Sequence, residues 1–309
     1  MHGAARPRFT PQSILLSRQD VLSLETMLPG LKSQWLAILL ALQLPAAPSG
    51  EVTNVELQPA TVQAFNRYVQ LTEARINGEV SVPGRFLYVD VLPPERRSQA
   101  LAALQRGEVL MERLRTMDRS GQTIEAPGGL IHHWLGVVFV PGATLQQTLA
   151  LMEDYNHHQD VYGPEVVRSR LLSRQENDFK IFYRLRKKKV ITVTLDTNHD
   201  VHYFPVDSKR WCSRSYSTRI SEVVDADKPN ERERPAGHGG GFLWRINSYW
   251  KFEEKDGGVY IECESISLTR DIPTGLGWLI KPFVTGIPKD SLQMTMGSTR
   301  AALEGKNGK

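Results

Sequence analysis

The residues best suited to acid–base or metal chemistry are the histidines, and they come in pairs: His132-His133, His157-His158 with Asp160 close behind, and His199 with His202. Neighbours on a strand point to opposite faces, so His132 and His133 cannot act from one side, and the odd spacing of His199 and His202 parts them likewise. His157 and His158 follow an amphipathic segment, where a solvated or cationic imidazole at a helix end is ordinary. No Ser/His/Asp set, CxxC, HExxH or Cys/His ligand spacing can be assembled, so the sequence implies no catalytic residues, metal or cofactor. Cys212 and Cys263 suit one disulfide and two buried thiols equally, because sequence gives no distance between them.

Two other stretches carry potential binding chemistry. Gly237 to Gly241 superficially suggests a phosphate-cradling loop, but it lacks the Lys-Ser/Thr of a P-loop and runs into a strand. Arg184-Leu185-Arg186-Lys187-Lys188-Lys189 is the dense basic run. At a hairpin tip, Arg184, Arg186, Lys187, Lys188 and Lys189 would meet anionic lipid headgroups at a membrane surface, or simply form a solvated turn. The formal net charge of +4 is too weak to argue for nucleic acid.

These groups must be held by elements that periodicity makes visible. Phe242 to Phe252 alternates Trp244, Ile246, Ser248, Trp250 and Phe252 against Arg245, Asn247 and Lys251, as a half-buried strand does. Lys255-Asp256-Gly257-Gly258 is a hairpin turn, and Val259 to Thr269 returns with Ile261, Cys263, Ser265 and Ser267 opposite Glu262 and Glu264, which mark a solvated face. The broken apolar stretch Gly275 to Phe283 must lie on something, and a helix from Pro288 carries Leu292, Met296, Thr299 and Leu303 at helical spacing to a stop at Gly305. Upstream, helices are expected from Gln58 to Ile76, closed by Asn77-Gly78, and from Pro93 to Gly107. Strands are expected over Phe86 to Val91, Glu108 to Leu114 and Leu130 to Val140. A further helix capped by Thr144 precedes a meander of strands at Val166 to Arg174, Phe179 to Arg186, Lys189 to Thr197, Val201 to Phe204 and Trp211 to Val223.

The N-terminus reads differently. Lys32, the apolar run Trp35 to Leu44 and the small residues of Pro45 to Gly50 follow the order of a secretory signal, and Met27 would make a better start than Met1. The run is short for a membrane span. Export to the periplasm or cell exterior is the expectation, with a retained anchor or an ordinary buried helix as the alternatives. The remaining chain, with 40% hydrophobic residues overall, can bury a large core.

The stretch Val137-Val138-Phe139-Val140-Pro141-Gly142-Ala143-Thr144 leading into a helix, then Tyr162-Gly163-Pro164-Glu165-Val166, the strands around Trp250 and Ile261, Pro273 and the helix from Lys289 resemble the START-like helix-grip superfamily. The resemblance implies an α+β helix-grip fold, a curved antiparallel β-sheet wrapped around a long C-terminal helix. It would occupy residues 107–309, with 1–50 as the signal-like segment and 51–106 as an N-terminal helical extension. Members of the superfamily enclose an apolar cavity between sheet and helix. That implication assigns Tyr183, Trp244, Ser248, Trp250, Ile261, Cys263 and Ser265 to a ligand cavity capped by Trp278, Leu292 and Met296. Each also reads as plain core, but Ser248, Ser265 and Ser267 on inward faces turn the set toward a cavity. Three functions follow: an exported binding protein for a hydrophobic or amphipathic small molecule, such as a lipid, isoprenoid or polyketide, with Gly275 to Gly286 as a mobile lid; a cyclase- or aromatase-type enzyme using the same cavity; or a cell-envelope interaction protein with a filled core.

Overall fold

The run Gly129–Pro141 is apolar on consecutive positions because both faces of the strand it forms are covered. The computed structural model describes residues 54–189, 191–272, 281 and 285–307, and residues 53–309 form one compact unit. The signal-like segment, Trp278 and nearly all of the expected lid lie outside the described residues.

In chain order the elements are β1 (Val55–Glu56), α1 (Pro59–Ser81), a 3-10 turn (Tyr88–Val91), α2 (Pro94–Gln105), β2 (Leu110–Arg113), β3 (Gly129–Pro141), α3 (Leu145–Met152), α4 (His158–Tyr162), β4 (Val166–Gln175), β5 (Asp178–Lys188), β6 (Thr192–Pro205), β7 (Arg210–Val224), β8 (Arg232–Glu233), β9 (His238–Gly239), β10 (Arg245–Lys255), β11 (Gly258–Arg270) and α5 (Ile287–Asn307). Among the described residues the main sheet is antiparallel with the order β2-β3-β11-β10-β7-β6-β5-β4, and β8 joins β7 beside it. Its inner face packs against α3 and α5, where Val138, Phe252, Ile261, Leu292, Met296 and Leu303 share one core. This is the helix-grip arrangement.

The outer face departs from the sequence reading. Glu262 and Glu264 are buried, at 0% and 1% exposure, rather than solvated. Their face is roofed by α1, the 3-10 turn and α2. Helix α1 presents Phe65, Tyr68, Val69 and Ile76 at helical spacing to Tyr249, Ile266 and Leu268. Phe86, Leu87, Val89, Ala100 and Leu104 pack on Val137, Phe139 and Tyr260. The carboxylates are neutralised under that roof: Lys251 lies 3.0 Å from Glu262 and 3.3 Å from Glu79. Glu264 accepts from Arg75 and, at 2.6 Å, from His133. Strand periodicity shows that two acids share a face, but not that a distant helix covers it.

Smaller departures have local causes. Helix α1 runs past Asn77-Gly78 because Arg75 pairs with Glu79 at 2.8 Å across its last turn. Phe86 to Val91 is not a strand: three of its apolar side chains, Phe86, Leu87 and Val89, are buried together, and the Asp90 carboxylate accepts from the Leu87 N–H at 2.8 Å. The two short strands expected between Lys189 and Phe204 are one strand, β6, with an irregularity at Asn198/His199 opposite β7. Helix α5 continues through Gly305 to Asn307. The Thr144 cap is present, its hydroxyl accepting from the Gln147 N–H while Gln147 returns a contact to the Thr144 N–H.

Candidate functional site

The pairing register decides which side chains meet. Ser248 of β10 lies directly opposite Ser265 of β11 on one side and Ser215 of β7 on the other. One row further along, Trp250 lies between Cys263 and Ser213. All face inward, together with Tyr183 and Leu185 of β5, Leu195, His199 and Tyr203 of β6, and Trp134 of β3. With α4 and the first turns of α5 they line a partly open cavity of about 250 Å³, at the small end of ligand sites.

Most of its wall is hydrocarbon; apart from the Glu165–Lys187 ion pair, the polar side chains of the described lining residues are uncharged. His158 of α4 is buried and both ring nitrogens are engaged: Nε2 faces the Leu151 carbonyl at 3.3 Å and Nδ1 the Tyr183 hydroxyl at 2.6 Å. A carbonyl only accepts, so Nε2 carries the proton and Tyr183 donates to Nδ1. Burial pushes the His158 imidazole down to about 4, which leaves it uncharged at neutral pH. Tyr155 donates to Tyr203 at 2.8 Å, and Tyr203 to the Met152 carbonyl at 3.1 Å. Tyr162 donates to Thr299 at 3.0 Å. Burial holds all these phenols protonated, Tyr162 being pushed up to about 12. His199 is also lowered to about 4 by burial; because the Thr197 hydroxyl donates to the Tyr183 carbonyl at 3.3 Å, His199 Nε2 donates to Thr197 at 3.0 Å and Nδ1 is left as an acceptor. Among the described residues no group of His, Cys, Asp and Glu could hold a metal ion.

Of the residues assigned to the cavity from sequence, Tyr183, Ser248, Trp250, Cys263, Ser265 and Leu292 line it. Ile261 and Met296 face inward but pack against the core beside it, both at 0% exposure. Trp244 is on the other side of the sheet, against α1 with Tyr249 and Leu268. The alternation breaks there because β10 begins only at Arg245; just before it, the Glu222 carboxylate accepts from the N–H groups of Gly240 and Gly241 at 2.8 and 2.9 Å and bends the chain. The same contacts occupy the glycine loop that resembled a phosphate cradle. Sequence reading missed His158, which is buried rather than solvated, because its five-residue helix has no readable period. It also missed Tyr203 and Trp134, whose parity on β6 and β3 puts them on the cavity face.

The basic run leads into the β5–β6 hairpin turn, where Lys188 lies opposite Thr192, but it is not a free cluster of charge. Arg184 is buried in a bidentate pair with Asp196 at 2.8 Å and a second pair with Glu231 at 2.8 Å. Arg186 pairs with Asp227, Lys187 with Glu165, and Lys189 with Asp290 at 3.1 Å, while Lys188 is exposed. Four of the five charges are paired within the fold, and a membrane surface is not supported. Cys212 and Cys263 are free thiols, on opposite faces of the sheet with β10 between their strands. Among the described residues no helix is long and apolar enough to cross a membrane.

No protein-family model and no curated protein matches the chain. Among solved structures it is similar to a STAR-related lipid transfer protein from Xanthomonas axonopodis, at 14% identity and a TM-score of 0.40 over 64% of this chain and 99% of that one. It is also similar to human STARD10, at 10% identity and 0.39 over 70% and 84%. A third is the Zhui aromatase/cyclase from Streptomyces sp. R1128, at 9% and 0.39 over 57% and 94%. The helix-grip assignment rests on the strand order and the packing of α5 against the sheet.

Proposed function

We propose that this chain is a binding protein for a hydrophobic or amphipathic small molecule of the lipid, isoprenoid or polyketide kind, held between the inner face of the sheet and α5. The observation that carries this reading is a partly open, largely apolar cavity whose floor holds a row of serine hydroxyls, Ser215, Ser248 and Ser265, without hydrogen bonds to other described residues. Desolvation of the ligand supplies affinity and the hydroxyls orient it. Helices α1 and α2 close the outer face, so exchange with solvent would occur on the α4–α5 side. We read the N-terminal stretch as an export signal, which N-terminal sequencing of the secreted chain checks.

A cyclase-type activity draws on the His158–Tyr183 pair. With both nitrogens engaged and an imidazole lowered to about 4, His158 is a weak base at neutral pH, and binding is the better reading. Trp134 and Trp250 line the cavity and report on its contents. Titration with a fluorescent fatty alcohol should quench tryptophan emission saturably at one ligand per chain, and Ser265→Leu, which fills the floor, should abolish it. Unsaturable quenching, or quenching unchanged in Ser265→Leu, would refute the cavity as the binding site.

A further inference from the structure

The charge of the lining goes further than its shape. Among the described lining residues the ionised side chains are Glu165 and Lys187, which pair with each other; both are partly open to solvent, and Lys187 also donates to Ser291 at 2.7 Å. Deeper in, the polar groups of the described lining side chains are hydroxyls, a thiol, imidazoles and the indole N–H groups of Trp134 and Trp250. His158 and His199 are kept uncharged by burial, and the phenols of Tyr155, Tyr162, Tyr183 and Tyr203 keep their protons. A carboxylate or phosphate placed there would lose its hydration and find no unpaired opposite charge among the described lining residues, the costliest arrangement a buried group can have. Neutral oxygens meet the opposite situation. Ser265, Ser248 and Ser215 stand side by side on three adjacent strands, a row spanning two strand spacings or roughly 10 Å, and each hydroxyl both donates and accepts. The free Nδ1 of His199 adds an acceptor for a ligand hydroxyl.

We infer that the cavity selects an uncharged ligand that carries hydroxyl or carbonyl oxygens on a hydrocarbon body, and that it excludes ionised fatty acids and phosphate-headed lipids. This rests on the cavity being a ligand site, and it narrows the class of ligand. The Glu165–Lys187 pair reinforces the selection at the solvent end, because the cation there is already neutralised.

The test compares two probes that differ in one group, 1-decanol and decanoate, by isothermal titration calorimetry of the full chain at pH 7.5, where decanoate is ionised. Saturable decanol binding with decanoate at least about 100-fold weaker is expected, from the penalty of an unpaired buried charge. Decanoate binding as tightly as decanol would overturn charge selection while leaving the cavity a ligand site. Heat from neither probe would overturn both statements. The double variant Ser248→Ala/Ser265→Ala separates the hydroxyl row from simple hydrocarbon burial. Decanol affinity should fall about 3- to 10-fold per hydroxyl that the ligand engages, and an unchanged affinity would remove the row as the polar anchor.

Discussion

Lys251 is where the outer face of the sheet can be broken with a measurable result. Its ammonium, 3% exposed on the side chain, lies 3.0 Å from Glu262 and 3.3 Å from Glu79 under helix α1. Burial alone would push the ammonium down, but the attraction of Glu262 and then Glu79 outweighs it and holds the group above the ordinary lysine range. Lys251→Met keeps the hydrocarbon stem and removes the charge. Glu262, fully buried, is then left with the Tyr88 N–H at 2.6 Å as its partner. Removing one member of a buried ion pair costs about 3–5 kcal/mol, a large share of a typical stability of about 5–15 kcal/mol. The loss depends on pH. Burial already raises Glu262, and without Lys251 it rises further, so the folded variant holds a proton that the unfolded chain releases. A raised carboxyl stabilises at low pH and loses that contribution as pH climbs from about 4.5, the ordinary value, through its folded value. Urea unfolding followed by circular dichroism at pH 5.5 and pH 8 should therefore show a larger penalty at pH 8. Lys251→Met/Glu262→Gln should recover about 2 kcal/mol of it, because the amide carries no charge to strand. A penalty below about 1 kcal/mol at pH 8, or one equal at both pH values, would refute the view that these acids are charged and buried under the helical roof.

Three further outcomes follow. His132, His158 and His199 are each lowered to about 4 by burial, so the unfolded chain takes up protons first as pH falls below about 6.5; stability should drop between pH 6.5 and 4, by up to about 3 kcal/mol per imidazole, and a flat urea midpoint over that range would contradict their burial as neutral groups. Tyr183→Phe removes the donor to His158 Nδ1 and should cost about 1–3 kcal/mol of unfolding free energy, and a cost within error of zero would show that the contact is not made. Thr144→Ala should cost about 1 kcal/mol through loss of the α3 cap while leaving ligand affinity unchanged; a change in affinity would mean that α3 sets the cavity's shape more closely than described.

Much of the inner face was legible because strand parity is a local signal. The alternation in β10 and β11 places Ser248, Trp250, Cys263 and Ser265 together, and the turn at Asp256-Gly257 fixes the register that brings the serines opposite one another. Leu292 and Met296 share a helical face, but sequence spacing does not say which of them meets the cavity and which the core. Trp244 shows where parity fails: it continues the alternation in sequence, yet lies before the bend imposed by Glu222, a residue about twenty positions upstream. Glu262 and Glu264 failed for a different reason. Charge on one strand face ordinarily means water, and the covering helix with Arg75, which compensates Glu264, lies nearly two hundred residues away in sequence. The basic run failed likewise, because Asp196, Glu231 and Asp227 are brought to it only by strand pairing and by the loop that follows β7.

The most direct test of the account is native mass spectrometry of the gently purified chain, followed by extraction and identification of whatever it carries. One uncharged, oxygen-bearing hydrophobic molecule per chain, released on unfolding, is the predicted result. An empty protein that also takes up no neutral lipid would contradict the account and leave the cavity as a packing feature of the fold.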